Sequence, residues 1–196
     1  RLNVGEKMEL EHSINEIKTI SLSMFRKNFF GVFHGSISVK IKENQFLINK
    51  KDAIFDSLDK DDFITLFSKK DYRWQDASID SDIHVNIYKN IKEAKFVTYA
   101  MPPHLIAYTL EHDFILPRDY FGATKFKRVE IYDPKNYDDW HERAPYEICN
   151  YMMNENSDVM VIRGYGVFAY ARSAQQLAKK ISILENSSKL LLLSKN

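Results

Sequence analysis

One cysteine, six glycines and five prolines among 196 residues leave room for few protein types. A lone cysteine forms no internal disulfide and suits a reducing compartment, so Cys149 reads as a small buried hydrophobe on a helix. No apolar run approaches the ~20 residues that cross a bilayer. The opening residues RLNVGEKMELEHS carry no apolar signal segment, so the expectation is a cytoplasmic protein with no membrane partner. Charge of one sign is missing too. Basic and acidic side chains number 28 and 27 and interleave along the chain, for a net charge of +1. That balance argues against a footprint for nucleic acid or an anionic lipid surface. Repeats, low-complexity tracts and linkers are also lacking. Residues 1–196 therefore read as one domain, long enough to bury about 70% of its unfolded surface without disulfide or metal.

What is present is aromatic bulk and clear periodicity. Thirteen phenylalanines and eleven tyrosines describe a packed interior. From Glu9 to Asn28, Leu10, Ile14, Ile17, Ile20, Met24 and Phe25 recur at helical spacing. Ile37, Val39 and Ile41 then alternate with Ser36, Ser38 and Lys40, and Glu43-Asn44 turns this strand into Phe46-Leu47-Ile48. Phe63 to Phe67 is a further short strand. Pro103 to Glu111 reads as a helix, Phe114 to Gly122 as irregular, Lys125 to Ile131 as an exposed strand, and Asp133 to Arg143 as loop. A helix begun by Pro145 runs to Asn154, and Val159 to Ile162 is a strand buried on both faces. Ser173 with Gln176 is a capping-box pattern opening a long last helix, whose apolar end at Leu190 to Leu193 suits a subunit contact.

The chain is organised around Trp74 to Leu110. Asp80 and His84 lie four residues apart at a helix start, so both leave the same face, beside a stripe of Ile83, Ile87 and Ile91. The strand Lys95 to Met101 follows, with Thr98 and Ala100 on one face, and Pro102-Pro103 ends it. Gly164 and Gly166 flank Tyr165, where backbone can pass close to another group.

This order of blocks resembles the class II aldolase and adducin head-domain family. Asp80-Ser81-Asp82-Ile83-His84 stands at its Ser-Ser-Glu-x-x-x-His helix start, Lys95 to Met101 at its His-x-His strand, and Arg163-Gly164-Tyr165-Gly166 at its Asn-His-Gly turn. Gly35-Ser36-Ile37-Ser38 takes the place of Gly-Asn-Ile-Ser. The resemblance covers the chain from about Asn15 onward and implies a three-layer αβα fold with a largely antiparallel central sheet. It also implies a homo-oligomer, commonly a tetramer, and a sugar phosphate or other small anion as ligand.

In such enzymes three histidines hold a divalent metal, usually zinc, that stabilises an enediolate. On this alignment those histidines fall on Thr98, Ala100 and Tyr165, which supply no imidazole, so no metal or other cofactor is expected. The catalytic Glu falls on Asp80, one methylene shorter. Asp80, with Tyr165 and His84, forms the candidate catalytic set, vestigial or divergent. Ser36, Ser78, Asn49, Lys50 and Thr98 are the candidate ligand-binding residues, and His104 with Asp80 and His84 is the one conceivable relocated metal set. The resemblance thus leaves two functions open. One is a scaffold or small-ligand-binding protein without metal-dependent aldol cleavage. The other is a sugar-phosphate aldolase, epimerase or dehydratase using Asp80 as acid or base.

Overall fold

A computed structural model describes residues 1–195. Eight strands form the sheet: β1 (Ser36–Lys42), β2 (Gln45–Asn49), β3 (Phe63–Phe67), β4 (Phe96–Ala100), β5 (Phe114–Ile115), β6 (Val129–Tyr132), β7 (Val159–Ile162) and β8 (Gly166–Ala171). Their spatial order is β3-β2-β1-β4-β8-β7-β6-β5. Every neighbouring pair is antiparallel except β6 and β7, which run parallel. The expected antiparallel character therefore holds for all but one pair. That exception follows from a helix between β6 and β7, since a crossover returns the chain in the same direction. The β1–β2 turn is closed by Asn44 at φ 64°, a left-handed position that asparagine tolerates better than most side chains.

Alternation along the strands divides the interior into two apolar clusters. Ile37, Val39, Phe96, Ala100, Val167 and Ala169 pack with α1 (Val4–Arg26), α3 (Pro103–Thr109) and α6 (Ala174–Leu193). Phe46, Ile48, Val97, Tyr99, Ile162 and Phe168 pack with α2 (Ser81–Asn90) and with α5 (Trp140–Asn154). Ile83, Ile87 and Ile91 are all buried, as their spacing predicts. In α6 the i, i+4, i+7 series Leu177, Ile181 and Leu184 is fully buried. Each such side chain contributes about 1.5–3 kcal/mol of transfer free energy, before the entropy cost of ordering it. Ser173 caps α6 by accepting from the Gln176 amide, and free Cys149 is buried on α5.

Three elements differ from the sequence reading. Tyr120 to Lys125 forms α4, a short helix whose Gly122 amide donates to the Asp119 carboxylate. Helix α5 begins at Trp140, so Pro145 sits in its second turn and not at its start. The carbonyl one turn back then lacks an amide donor, and the Pro145 carbonyl instead accepts from the Asn86 side chain of α2. Strand β6 is not an exposed strand, because Val129 and Ile131 are buried and only the alternate positions reach solvent.

Candidate active site

The first turn of α2 and the start of β1 bring four polar side chains together beneath the sheet. Asp80 is fully buried and, although it precedes α2, does not cap the helix with its carboxylate. Oδ2 instead accepts from Ser36 Oγ at 2.7 Å and lies 3.2 Å from His34 Nε2. The i, i+4 spacing carries His84 to the same serine, with Nε2 2.8 Å from Ser36 Oγ. On its other side, His84 Nδ1 is 2.6 Å from Ser38 Oγ, which is 2.7 Å from Tyr88 Oη.

A carboxylate only accepts, and this sets the direction of the whole chain. Ser36 donates to Asp80, so His84 must donate from Nε2 to Ser36 and accept at Nδ1 from Ser38. Ser38 in turn accepts from Tyr88. Burial holds the His84 pKa down at about 4, with the Asp80 charge opposing, so the imidazole is neutral at pH 7. Burial also opposes charge on Asp80, but hydrogen bonds and charge from His34, with help from His84 and Ser36, outweigh it and keep this carboxyl below the usual range. For His34, burial lowers the pKa and the Asp80 carboxylate more than offsets that, leaving it raised. Asp80 Oδ1 is buried and has no partner among the described residues.

The candidate residues divide sharply. Ser36, Asp80 and His84 converge as described. Tyr165 stands nearby, its ring 4.5 Å from that of Tyr99, whose hydroxyl donates to the Tyr165 carbonyl at 2.6 Å. Thr98 and Ala100 do not join them. They point into the cluster beneath α1, α3 and α6, opposite Asp80, and Thr98 Oγ1 is used on the Ser36 carbonyl. The face turned toward Asp80 is that of Tyr99 and Met101. The alignment to the His-x-His strand is thus one residue out of register, and in a β-strand a one-residue slip exchanges the faces.

Asn49 is likewise spent on the fold. Its Oδ1 accepts from the Ile37 amide at 2.9 Å, and its Nδ2 reaches the Gly35 and Lys50 carbonyls. Asn49→Leu should therefore cost about 2 kcal/mol in urea unfolding, the price of a buried unpaired amide; an unchanged midpoint would contradict that assignment. Ser78 accepts from the Asp80 amide at its hydroxyl, and its own amide donates to the Asn49 carbonyl, so it serves as turn structure. Lys50 bridges Ala77 at this turn and is half-buried. His104 lies elsewhere, with Nδ1 3.0 Å from Glu185 of α6, and so cannot complete a set with Asp80 and His84.

Beyond Tyr99 and Tyr165 opens a cavity of about 1220 Å³ whose lining is mainly aromatic and aliphatic. His34, Met101, Trp140 and Tyr137 line it. Sequence reasoning gives His34 no part in the site, although its place just before Gly35-Ser36 is a signal. Nothing local marks Tyr88, Met101 or Trp140.

The sequence profile of the Class II Aldolase and Adducin N-terminal domain matches residues 15–192. The chain belongs to this family. Solved structures with the same fold include L-fuculose-1-phosphate aldolase from Thermus thermophilus, at 21% identity, TM-score 0.81 and 92% coverage of both chains. A sugar-phosphate aldolase from Thermotoga maritima aligns at 15% identity and TM-score 0.74, covering 95% of this chain and 98% of its own. An aldolase II superfamily protein from Pseudomonas syringae aligns at 14% identity and TM-score 0.76 over all of this chain and 78% of its own. No curated protein matches by sequence comparison. Among the described residues no helix is long and apolar enough to cross a membrane.

The zinc associated with family enzymes can be tested against the donors that face Asp80. Tyr99 and Tyr165 offer phenols whose pKa values burial pushes up, and Met101 offers a thioether. Among the described residues no three His, Cys, Asp or Glu side chains are grouped to hold an ion. Zinc favours imidazole, thiolate and carboxylate donors, so this set does not fit it.

Proposed function

We propose that this class II aldolase family protein has lost metal-dependent carbon–carbon cleavage and keeps a small-ligand-binding role on a three-layer αβα scaffold. The observation that carries this reading is the trio Tyr99, Met101 and Tyr165 around Asp80, which replaces metal donors with phenols and a thioether. The test is metal analysis of protein purified without chelators, together with turnover of fuculose, rhamnulose and ribulose phosphates in added zinc. We expect substoichiometric zinc and no turnover above the enzyme-free rate. A stoichiometric ion, or robust cleavage, defeats the reading.

The second reading is a divergent sugar-phosphate aldolase, epimerase or dehydratase with Asp80 as acid or base. The buried, unpaired Asp80 Oδ1 favours it, being an acceptor held ready in a water-poor site. Against it stands the depressed Asp80 pKa, which makes a weak base at neutral pH. If turnover is found, Asp80→Asn should abolish it, and an unchanged rate removes this role. Family resemblance suggests a homotetramer. The exposed Leu190 and Leu193 at the end of α6 support a contact there.

A further inference from the structure

The cavity beside Tyr165 has chemistry of its own. Among its lining residues there is no lysine, arginine, aspartate or glutamate, and its walls are supplied by side chains such as Phe30, Phe33, Ile106 and Tyr137. An anion placed there would lose hydration without gaining a cationic partner, and it would approach the ionised Asp80 that lies behind His34. One polar atom in the wall is conspicuous. Trp140 is 2% exposed, and its indole Nε1, a donor only, has no partner among the described residues. His34 is the other fixed polar group. Its Nε2 is engaged by Asp80, so its Nδ1 edge is the part left for a ligand.

From these observations we propose that the cavity takes an uncharged, mainly apolar ligand bearing one carbonyl or hydroxyl oxygen, which accepts from Trp140 Nε1, and that it discriminates against sugar phosphates. Apolar walls with very few placed polar groups are the usual composition of a small-molecule site. A ligand oxygen satisfies an indole donor that is otherwise stranded in the core. The inference rests on the small-ligand role above but not on the loss of aldol cleavage.

Isothermal titration calorimetry of the full chain with acetophenone, toluene and benzyl phosphate tests it. Acetophenone should bind one site saturably, and benzyl phosphate at least ten-fold more weakly. Trp140→Phe keeps an aromatic ring but removes the donor, so it should weaken acetophenone about ten-fold while leaving toluene within two-fold. Ile106→Trp and, at the rim, Val32→Trp fill the space and should abolish binding of both apolar probes, with folding checked by circular dichroism. Benzyl phosphate binding as tightly as acetophenone overturns the proposal, as does the absence of saturable acetophenone binding. An unaltered ratio of acetophenone to toluene affinity in Trp140→Phe removes the indole from it. If the filling variants change subunit number in sedimentation and not probe affinity, the cavity is a contact with a second copy and the proposal fails. None of these outcomes depends on zinc or sugar-phosphate turnover, which decide the preceding reading separately.

Discussion

Gly166→Ala is expected to destabilise the protein by about 3 kcal/mol or more. Gly166 opens β8 with φ 146°, in the region that side chains bearing a Cβ avoid. A Cβ built there falls 2.4 Å from the Ala100 carbonyl oxygen and 3.1 Å from the Tyr99 ring. The nearer obstacle is backbone in the centre of the sheet, where β4 pairs with β8 from Phe96–Ala171 to Ala100–Val167. It cannot swing aside as a flexible side chain would. Relief requires parting the two strands at the end nearest Tyr99 and Tyr165, so the site should loosen with the fold. For a chain of this size the loss corresponds to a fall in Tm of roughly 6–12 °C. Gly5→Ala is the control. Its Cβ meets only Asn3 Oδ1 at 3.5 Å in an exposed part of α1, and helix propensity favours alanine. Equal midpoints for Gly166→Ala and wild type in thermal unfolding would refute the argument.

The second large effect is a pH dependence that belongs to His84. Its folded pKa lies at about 4, against 6.5 for an unperturbed imidazole. Between those values the unfolded chain takes up a proton that the native state refuses, so stability rises with pH across this window and is lost as pH falls. The difference integrates to on the order of 3 kcal/mol. His34 is shifted the other way. Its stabilising contribution is complete below 6.5 and declines only as pH rises through its raised folded pKa. Asp80, shifted down, contributes above its unfolded value of 3.8 and loses this only at more acid pH. The interval from about pH 6.5 to about 4.5 is therefore governed by His84 among the three. Urea midpoints of wild type should fall steadily as pH is lowered across it. Those of His84→Gln, whose amide can donate to Ser36 and accept from Ser38 without titrating, should not. Parallel slopes in the two proteins would assign the effect elsewhere.

Much of this arrangement is readable without coordinates. The i, i+4 spacing of Asp80 and His84 places both on one face, and the alternation around Ser36 and Ser38 sets those hydroxyls opposite Ile37 and Val39. Together they describe three of the four polar groups in the site. The strand from Lys95 to Met101 is legible as a strand but not in its facing. Phe96, Val97, Thr98, Tyr99 and Ala100 are all buried, so hydrophobicity gives no alternation from which to tell the two sides. The resulting slip puts Thr98 and Ala100 where Tyr99 and Met101 belong. It changes the residues named around Asp80 without restoring an imidazole. His34 and Trp140 escape for another reason. Each acts through a contact distant in sequence, His34 with Asp80 and Trp140 with the cavity wall, and local pattern holds no record of such meetings. Pro145 misleads because proline is favoured in the first turn of a helix, whereas here the second turn tolerates it by giving its carbonyl to Asn86.

The sheet order has a consequence for how the chain is made. Strand β4 joins two halves, the hairpin of β1 and β2 on one side and β8 with β7 on the other. While the polypeptide leaves the ribosome, residues 36–100 can assemble three of their own strands around β1. The second edge of β4 then stays bare until residue 171 has emerged. An unpaired edge of this kind invites pairing with other chains. The nascent protein should thus be most prone to aggregate, and most dependent on chaperones, during the interval in which some seventy residues separate β4 from the strand that covers it.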